Sequence, residues 1–354
     1  MDNLMYAVPA LLAAKPPSGL TGSISNFLGA IMDFLFNISY AIFPGTGALA
    51  LSIILLTIVV RIAMIPMGMK SQQSMAATQR LAPKVNEIKK KYGDTKDPEQ
   101  TRKMNVEIQN LYSKNGANPI TGCLPLLITL PLFIALSTTL RNSHFYIAHL
   151  SDLYNQIPGA LISAMESAAG FKEKIDPLIL SKWVGKDFNL YNPEYIKAFI
   201  SQCSPKDLAD IRGFLPDSSF ALYGLIGQKL SVESLFGINL TGSSGWGFPG
   251  IFIPIATGLS TFLTSLISMR QTRNMDKTQA QTQKMMMFGM PIMMIVMTTS
   301  VASGVGLYWI VSSLFQAGQQ FVLHKYYTDE KLDSIMAKKN AKREARAERV
   351  RLKK

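Results

Sequence analysis

Arg61 interrupts an apolar run that extends from Ala48 to Met69, with only Ser52 and Thr57 polar before it. The residues ahead of it would rise only about 20 Å as helix, short of a roughly 30 Å hydrocarbon core. A helix crossing a membrane here must therefore include the arginine. A guanidinium at that depth costs about 3 kcal/mol on insertion scales and above about 10 in simulations, so water or a ligand must sit close to it. No Asp, Glu or His occurs in any of the other long apolar runs. A watery cavity inside the membrane is the first functional hypothesis, and its chemistry is attraction of an anion.

Other polar residues fall where they could line such a cavity. Thr257, Ser260, Thr261 and Thr264 share one helical face, with Leu259, Phe262, Leu263 and Leu266 on others. That face serves either to hydrogen-bond neighbouring helices or to line a wet groove. Gln316, Gln319 and Gln320 stand together late in the last apolar run, and Tyr308-Trp309 early in it. No catalytic constellation is visible. Phosphate-cradling glycine loops, metal-spaced His/Cys/Asp/Glu clusters and nucleophile–base pairs are all missing from the pattern, so neither cofactor nor metal is expected. Cys123 and Cys203 fall in a span and an external loop, and read as a small buried hydrophobe and a loop thiol. His144, His149 and His324 carry no assigned chemistry.

The elements that must position these residues are five apolar runs, near 48–69, 119–140, 249–269, 285–302 and 304–323. The connecting charge alternates in sign. Ten Lys/Arg stand against five acids from Lys70 to Pro119, four against one in Arg270–Lys284, and eleven against five from His324 onward. The segment Ser143–Phe248 reverses this, with eight against ten. By the positive-inside rule the basic segments are cytoplasmic, the N-terminus outside and the C-terminus cytoplasmic. The expected class is an all-α integral membrane protein of five transmembrane helices.

Its parts follow in order. Residues 1–45 form an extracytoplasmic N-terminus without the basic region of a cleaved signal. There Ile24, Phe27, Leu28, Ile31, Leu35, Ile38 and Ile42 predict an amphipathic interfacial helix ended by Pro44-Gly45, the alternative being a sixth, poor span. Residues 46–142 hold the first two spans and a cytoplasmic helical hairpin, 71–115. Its limbs run Gln72–Tyr92 and from Asp97-Pro98 to Tyr112, with Leu81, Val85 and Ile88 facing Met104, Ile108 and Leu111. Solvated connector and moving collector of incoming polypeptide are both open readings. Residues 143–248 form an external, mostly helical insert. Residues 249–323 hold spans three to five. Seven methionines between Met285 and Met297 serve ordinary packing or adaptable contacts. The basic tail, 324–354, is either solvated or in contact with anionic lipid or ribosomal RNA.

In this order the residues carry a resemblance. Val60-Arg61 with Pro66, Met75-Ala76, Pro83-Lys84 and Lys91-Tyr92-Gly93-Asp94 resemble the YidC family of membrane protein insertases. Gly306–Ser312 and Gln319-Gln320 look like that family's last span, and Leu235–Leu240 and Pro254 like the approach to its third. The resemblance implies a five-helix core around a hydrophilic groove, open to cytoplasm and lipid and closed outside. It gives Arg61 the groove arginine that attracts acidic residues of a substrate's tail, gives 71–115 the hairpin needed for activity, and sets Trp309 beside the groove. It implies a bacterial cell membrane, and as partners nascent membrane proteins, the ribosome and the Sec translocon, with a single copy sufficient. The short N-terminal region matches the family members that lack a large external β-domain. The 143–248 insert is longer than the family's usual connector.

Mechanistically, Arg61 would lower the barrier for a hydrophilic, often acidic segment, while burial of an apolar helix supplies the driving free energy. The rival from another class is an anion channel or carrier using Arg61 as its solute site. A membrane-embedded enzyme ranks behind both.

Overall fold

In a computed structural model, the structure describes residues 19–93, 97–115, 117, 124–167, 170–182, 189–215, 219–270 and 277–326, with positions 334, 337, 341 and 345. Residues 1–18, Asn118-Pro119, Cys123 and most of the basic tail lie outside them. Helix dominates. The first helix, α1 (Gly19–Ile42), stops where Pro44 forbids continuation and Gly45 turns the chain at φ 103°. The second, α2 (Ala48–Arg80), runs 33 residues through Pro66. The expected start of the hairpin limb at Gln72 is therefore corrected. Ser71 to Arg80 contains no Gly or Pro, so the first span's helix continues unbroken to Leu81.

There Pro83 resets the helix, giving α3 (Ala82–Tyr92), closed by Gly93 at φ 62° whose N–H donates to the Lys89 and Lys90 carbonyls. The Asp97 side chain accepts from Glu99 N at 2.9 Å to cap α4 (Pro98–Lys114), as Asp97-Pro98 led us to expect. Next come α5 (Leu124–Arg141), α6 (Ser143–Tyr146), α7 (Ala148–Ser167), α8 (Phe171–Lys182), α9 (Pro193–Gln202), α10 (Pro205–Phe214) and α11 (Phe220–Glu233). A two-stranded antiparallel hairpin, β1 (Ser234–Leu235) and β2 (Ile238–Asn239), was not foreseen. The chain ends its described course in α12 (Phe252–Arg270), α13 (Lys277–Ser300) and α14 (Ser303–Tyr326). Among the described residues one stretch, Ala48–Thr78, is long and apolar enough to cross a membrane alone, and Phe252–Ser268 and Met287–Ser300 are shorter apolar stretches.

The chain divides into two compact units. One comprises Met1–Val59, Leu130–Leu259 and Ile292–Ser312. Within the 143–248 insert, Tyr154, Ile157, Leu161, Phe171, Ile175, Phe199, Leu208, Ile211 and Ile226 form one buried cluster. Cys203 belongs to that cluster. It is buried and its thiol donates to the Phe199 carbonyl, so the expected loop thiol is a core residue. Helix α1 packs here too, through part of its expected apolar stripe. Leu28, Met32, Leu35 and Phe36 are buried, while Phe27, Phe34, Ile38 and Ile42 are exposed. The helix is apolar around most of its circumference, so polar contacts set its rotation. The Ser25 hydroxyl donates to the Ala135 carbonyl, and the Asp33 carboxylate accepts from Ala148 N at 2.8 Å.

The other unit comprises Val60–Thr129, Ser260–Pro291 and Ser313–Lys354. In its helical hairpin Leu81 and Val85 are buried, Ala77, Leu81, Ala117 and Tyr112 cluster, and no residue of α4 is fully buried. Such a thin seam gives little hydrophobic stabilisation. Lys91 and Glu107 bridge it at 3.1 Å.

Candidate functional site

Arg61 is half-buried on α2, between exposed Val59 and exposed Ile62. Seven residues on, about 10 Å along the helix and on the same face, lies Gly68. The side chain of Gln319 rests directly on that glycine, and a Cβ there would come within 2.7 Å of Gln319 Nε2. Gly68 thus receives the end of the Gln319 side chain of α14 on the arginine-bearing face of α2. On its other side α14 meets α12. The Thr264 hydroxyl is shared between the Ser260 carbonyl at 2.8 Å and the Ser313 carbonyl at 3.3 Å, and the Ser268 hydroxyl donates to Gln320 Oε1 at 3.1 Å. Ser260 and Thr261 are buried, and Thr264 and Gln316 half-buried. This unit thus brings Arg61, Ser260, Thr261, Thr264 and Gln316 onto three helices, two of whose pairings run through α14.

Thr257 and Trp309 lie in the other unit. The Thr257 hydroxyl is fully buried and donates to the Ile253 carbonyl at 2.8 Å and to that of Gly306 at 3.4 Å. Gly306 makes this possible, because a Cβ there would collide with Ile253 and Thr298. Trp309 is half-buried, its ring edge-on to Phe133 at 5.9 Å. Much of the hydroxyl capacity on α12 is thus directed at main-chain carbonyls, and Arg61 is the one charged residue among the expected site residues. A guanidinium carries five N–H donors in a fixed fork, suited to a carboxylate.

Sequence reasoning missed a buried polar network in the insert. Lys229 Nζ lies 2.7 Å from Glu233 Oε2, which also accepts from the Thr241 hydroxyl at 2.8 Å. Asn239 Oδ1 takes the Thr241 N–H, and the Asn239 amide donates to the Cys203 carbonyl. Lys229 also stands over the Tyr154 ring, on which His144 stacks at 4.7 Å. Burial drives the His144 pKa down to about 4, against the opposing pull of Glu233 and Glu194, and pushes the Tyr154 phenol well up. The signal was a Lys and a Glu one turn apart in a segment that is otherwise largely apolar. Among the described residues no cluster of His, Cys, Asp and Glu could hold a metal.

The profile of a family described as 60Kd inner membrane protein matches residues 41–179 and 216–331. A membrane protein insertase YidC of Aquifex aeolicus is 47% identical over 109 residues, which are 31% of this chain and 21% of that protein. The insertase YidC of Oceanobacillus iheyensis is 24% identical over 298 residues, 82% of each chain. That of Enterococcus faecalis is 27% identical over 305 residues, 86% of this chain and 77% of the relative. The family match takes in well over half of the residues and includes Arg61, the hairpin and α12 to α14. The chain belongs to the 60Kd inner membrane protein family, that of the YidC membrane proteins, which are not enzymes.

Proposed function

We propose that this protein is a membrane protein insertase, which moves hydrophilic substrate segments past Arg61 and releases apolar helices into the bilayer. The observation that carries the reading is Arg61 itself, half-buried within the helix long and apolar enough to cross a membrane. The relatives named as membrane protein insertases support it. Five helices span, with the N-terminus outside and the basic segments cytoplasmic. Arg61, Ser260, Thr261, Thr264 and Gln316, with Thr257 and Trp309, belong to the hydrophilic path. The positive charge offsets part of the desolvation cost of an incoming carboxylate, and the apolar segment's entry into lipid supplies the driving free energy. Partners are nascent membrane proteins, the ribosome and the Sec translocon, with anionic lipid at the basic tail, and one copy suffices.

Purified protein in vesicles tests the proposal. Single-span substrates should insert with it and fail without it. If Arg61→Ala inserts acidic-tailed substrates as well as the parent does, the charge role is lost while insertion stands. Solute flux in vesicles lacking substrate would mark an anion carrier instead.

A further inference from the structure

The turn between β1 and β2 is built from Phe236 at φ 50° and Gly237 at φ 77°. Two successive positive φ values in a two-residue hairpin loop make the turn that Asn-Gly fits best. A phenylalanine in the left-handed region is a genuine outlier, a backbone conformation that bulky L side chains strain to adopt. Its ring recovers nothing inside the protein, since Phe236 is 89% exposed. The backbone therefore holds an aromatic ring outward at a cost. It is not alone. Gly237 stands 3.8 Å, measured from a Cβ built on it, from the Pro249 ring, so the turn abuts the segment that carries Trp246 (64% exposed) and Phe248 (84%).

What covers these rings is indicated by the next element. Phe248 meets Phe252 edge-on at 5.5 Å, and Phe252 opens an exposed apolar stripe on α12 that continues through Ile255, Leu259 and Leu263. If α12 spans the membrane, lipid covers that stripe, and the aromatic group extends it upward without a break. Trp and other aromatics collect at this depth because their rings favour the headgroup boundary. We propose that Phe236, Trp246 and Phe248 form an anchor that inserts the β-hairpin of the insert into the outer headgroup boundary, beside the start of α12.

The test is fluorescence of the full chain in phosphatidylcholine vesicles, with Trp183→Phe and Trp309→Phe leaving Trp246 as reporter. Lipids brominated near the headgroup should quench Trp246 more than lipids brominated near the chain end, and aqueous acrylamide should quench it weakly. Phe236→Asn should hold or raise the thermal midpoint in detergent, because it relieves the turn, yet cut the lipid quenching about twofold. Strong acrylamide quenching with no bromolipid effect would overturn the proposal, as would protection from both, which marks a protein partner. The proposal rests on α12 as a span, and a separate Leu259→Trp reporter keeps the two apart. Deep bromolipid quenching at 259 without shallow quenching at 246 sinks the anchor and leaves the span.

Discussion

Lys229 and Glu233 form an ion pair at 2.7 Å, one helical turn apart, with both side chains only 1% exposed. Glu233 accepts a further hydrogen bond from Thr241, so the pair ties the end of α11 to the segment just after β2. Removing one partner leaves the other charge buried. Lys229→Met or Glu233→Leu should each destabilise by about 3–5 kcal/mol, while the double variant should recover most of the loss. Thermal unfolding in detergent measures this, and a double variant no better than the singles would show that the pair is not a unit.

His144 gives the insert a pH dependence. Its folded pKa, about 4, lies below the ordinary 6.5, so the unfolded chain binds the proton more readily. Stability from this residue is complete above about pH 6.5, declines as pH falls, and is gone below about 4. The full amplitude is about 3 kcal/mol. Glu233 and Glu194 already oppose the shift, and Lys197 and Lys229 add to it. His144→Phe keeps an aromatic ring against Tyr154 and should flatten the unfolding midpoint between pH 7 and 4.5.

Gly306 is a second point of dependence, set by volume. A Cβ there would strike Ile253 and Thr298 and reach 3.5 Å from Thr257 Oγ1, so three helices converge on it. Gly306→Val should cost about 1–3 kcal/mol through overpacking. Gly318, on the same helix, has nothing within 4 Å of a Cβ, and Gly318→Val should change the midpoint little. Equal losses at both positions would assign the effect to helix propensity rather than to packing.

Arg61 should act by charge. In vesicles Arg61→Lys should retain most insertion of acidic-tailed substrates and Arg61→Ala should lower it roughly tenfold, equivalent to about 1.4 kcal/mol. Arg61→Glu should favour basic over acidic tails. Neutral-tailed substrates should respond little to any of the three, and a uniform loss across all tails would mean that the arginine serves folding.

The limits of the sequence are themselves physical. Helix ends fixed by local chemistry were legible: Pro44-Gly45, Gly93 and Asp97-Pro98 each stop or start a helix where expected. The continuity of α2 past Gln72 was not, because a change from apolar to polar side chains alters what surrounds a helix without interrupting it. The rotation of α1 was hidden for a related reason. With Phe34, Phe36 and Met32 added to the anticipated stripe, apolar residues no longer choose a face, and Ser25 and Asp33 decide it through partners far away in the chain. At the candidate site the threonine face was legible as a face, but its division among carbonyl acceptors depends on the close approach of α14 at Gly306, Ser313 and Gln320. Residue type alone does not reveal those approaches.

The unbroken length of α2 has a mechanical consequence. Its 33 residues measure about 50 Å, against a hydrocarbon core of about 30 Å. With the apolar part of α2 as the proposed span, Ser71 to Arg80 forms a helical post roughly 15 Å long, and the first joint comes at Leu81. The helical hairpin starts from the end of that post, and the cluster of Ala77 and Leu81 with Tyr112 and Ala117 seats the far end of its second limb there as well. Lengthening the post by one turn would carry that joint about 5 Å further along the helix axis while turning it through little more than one full circle.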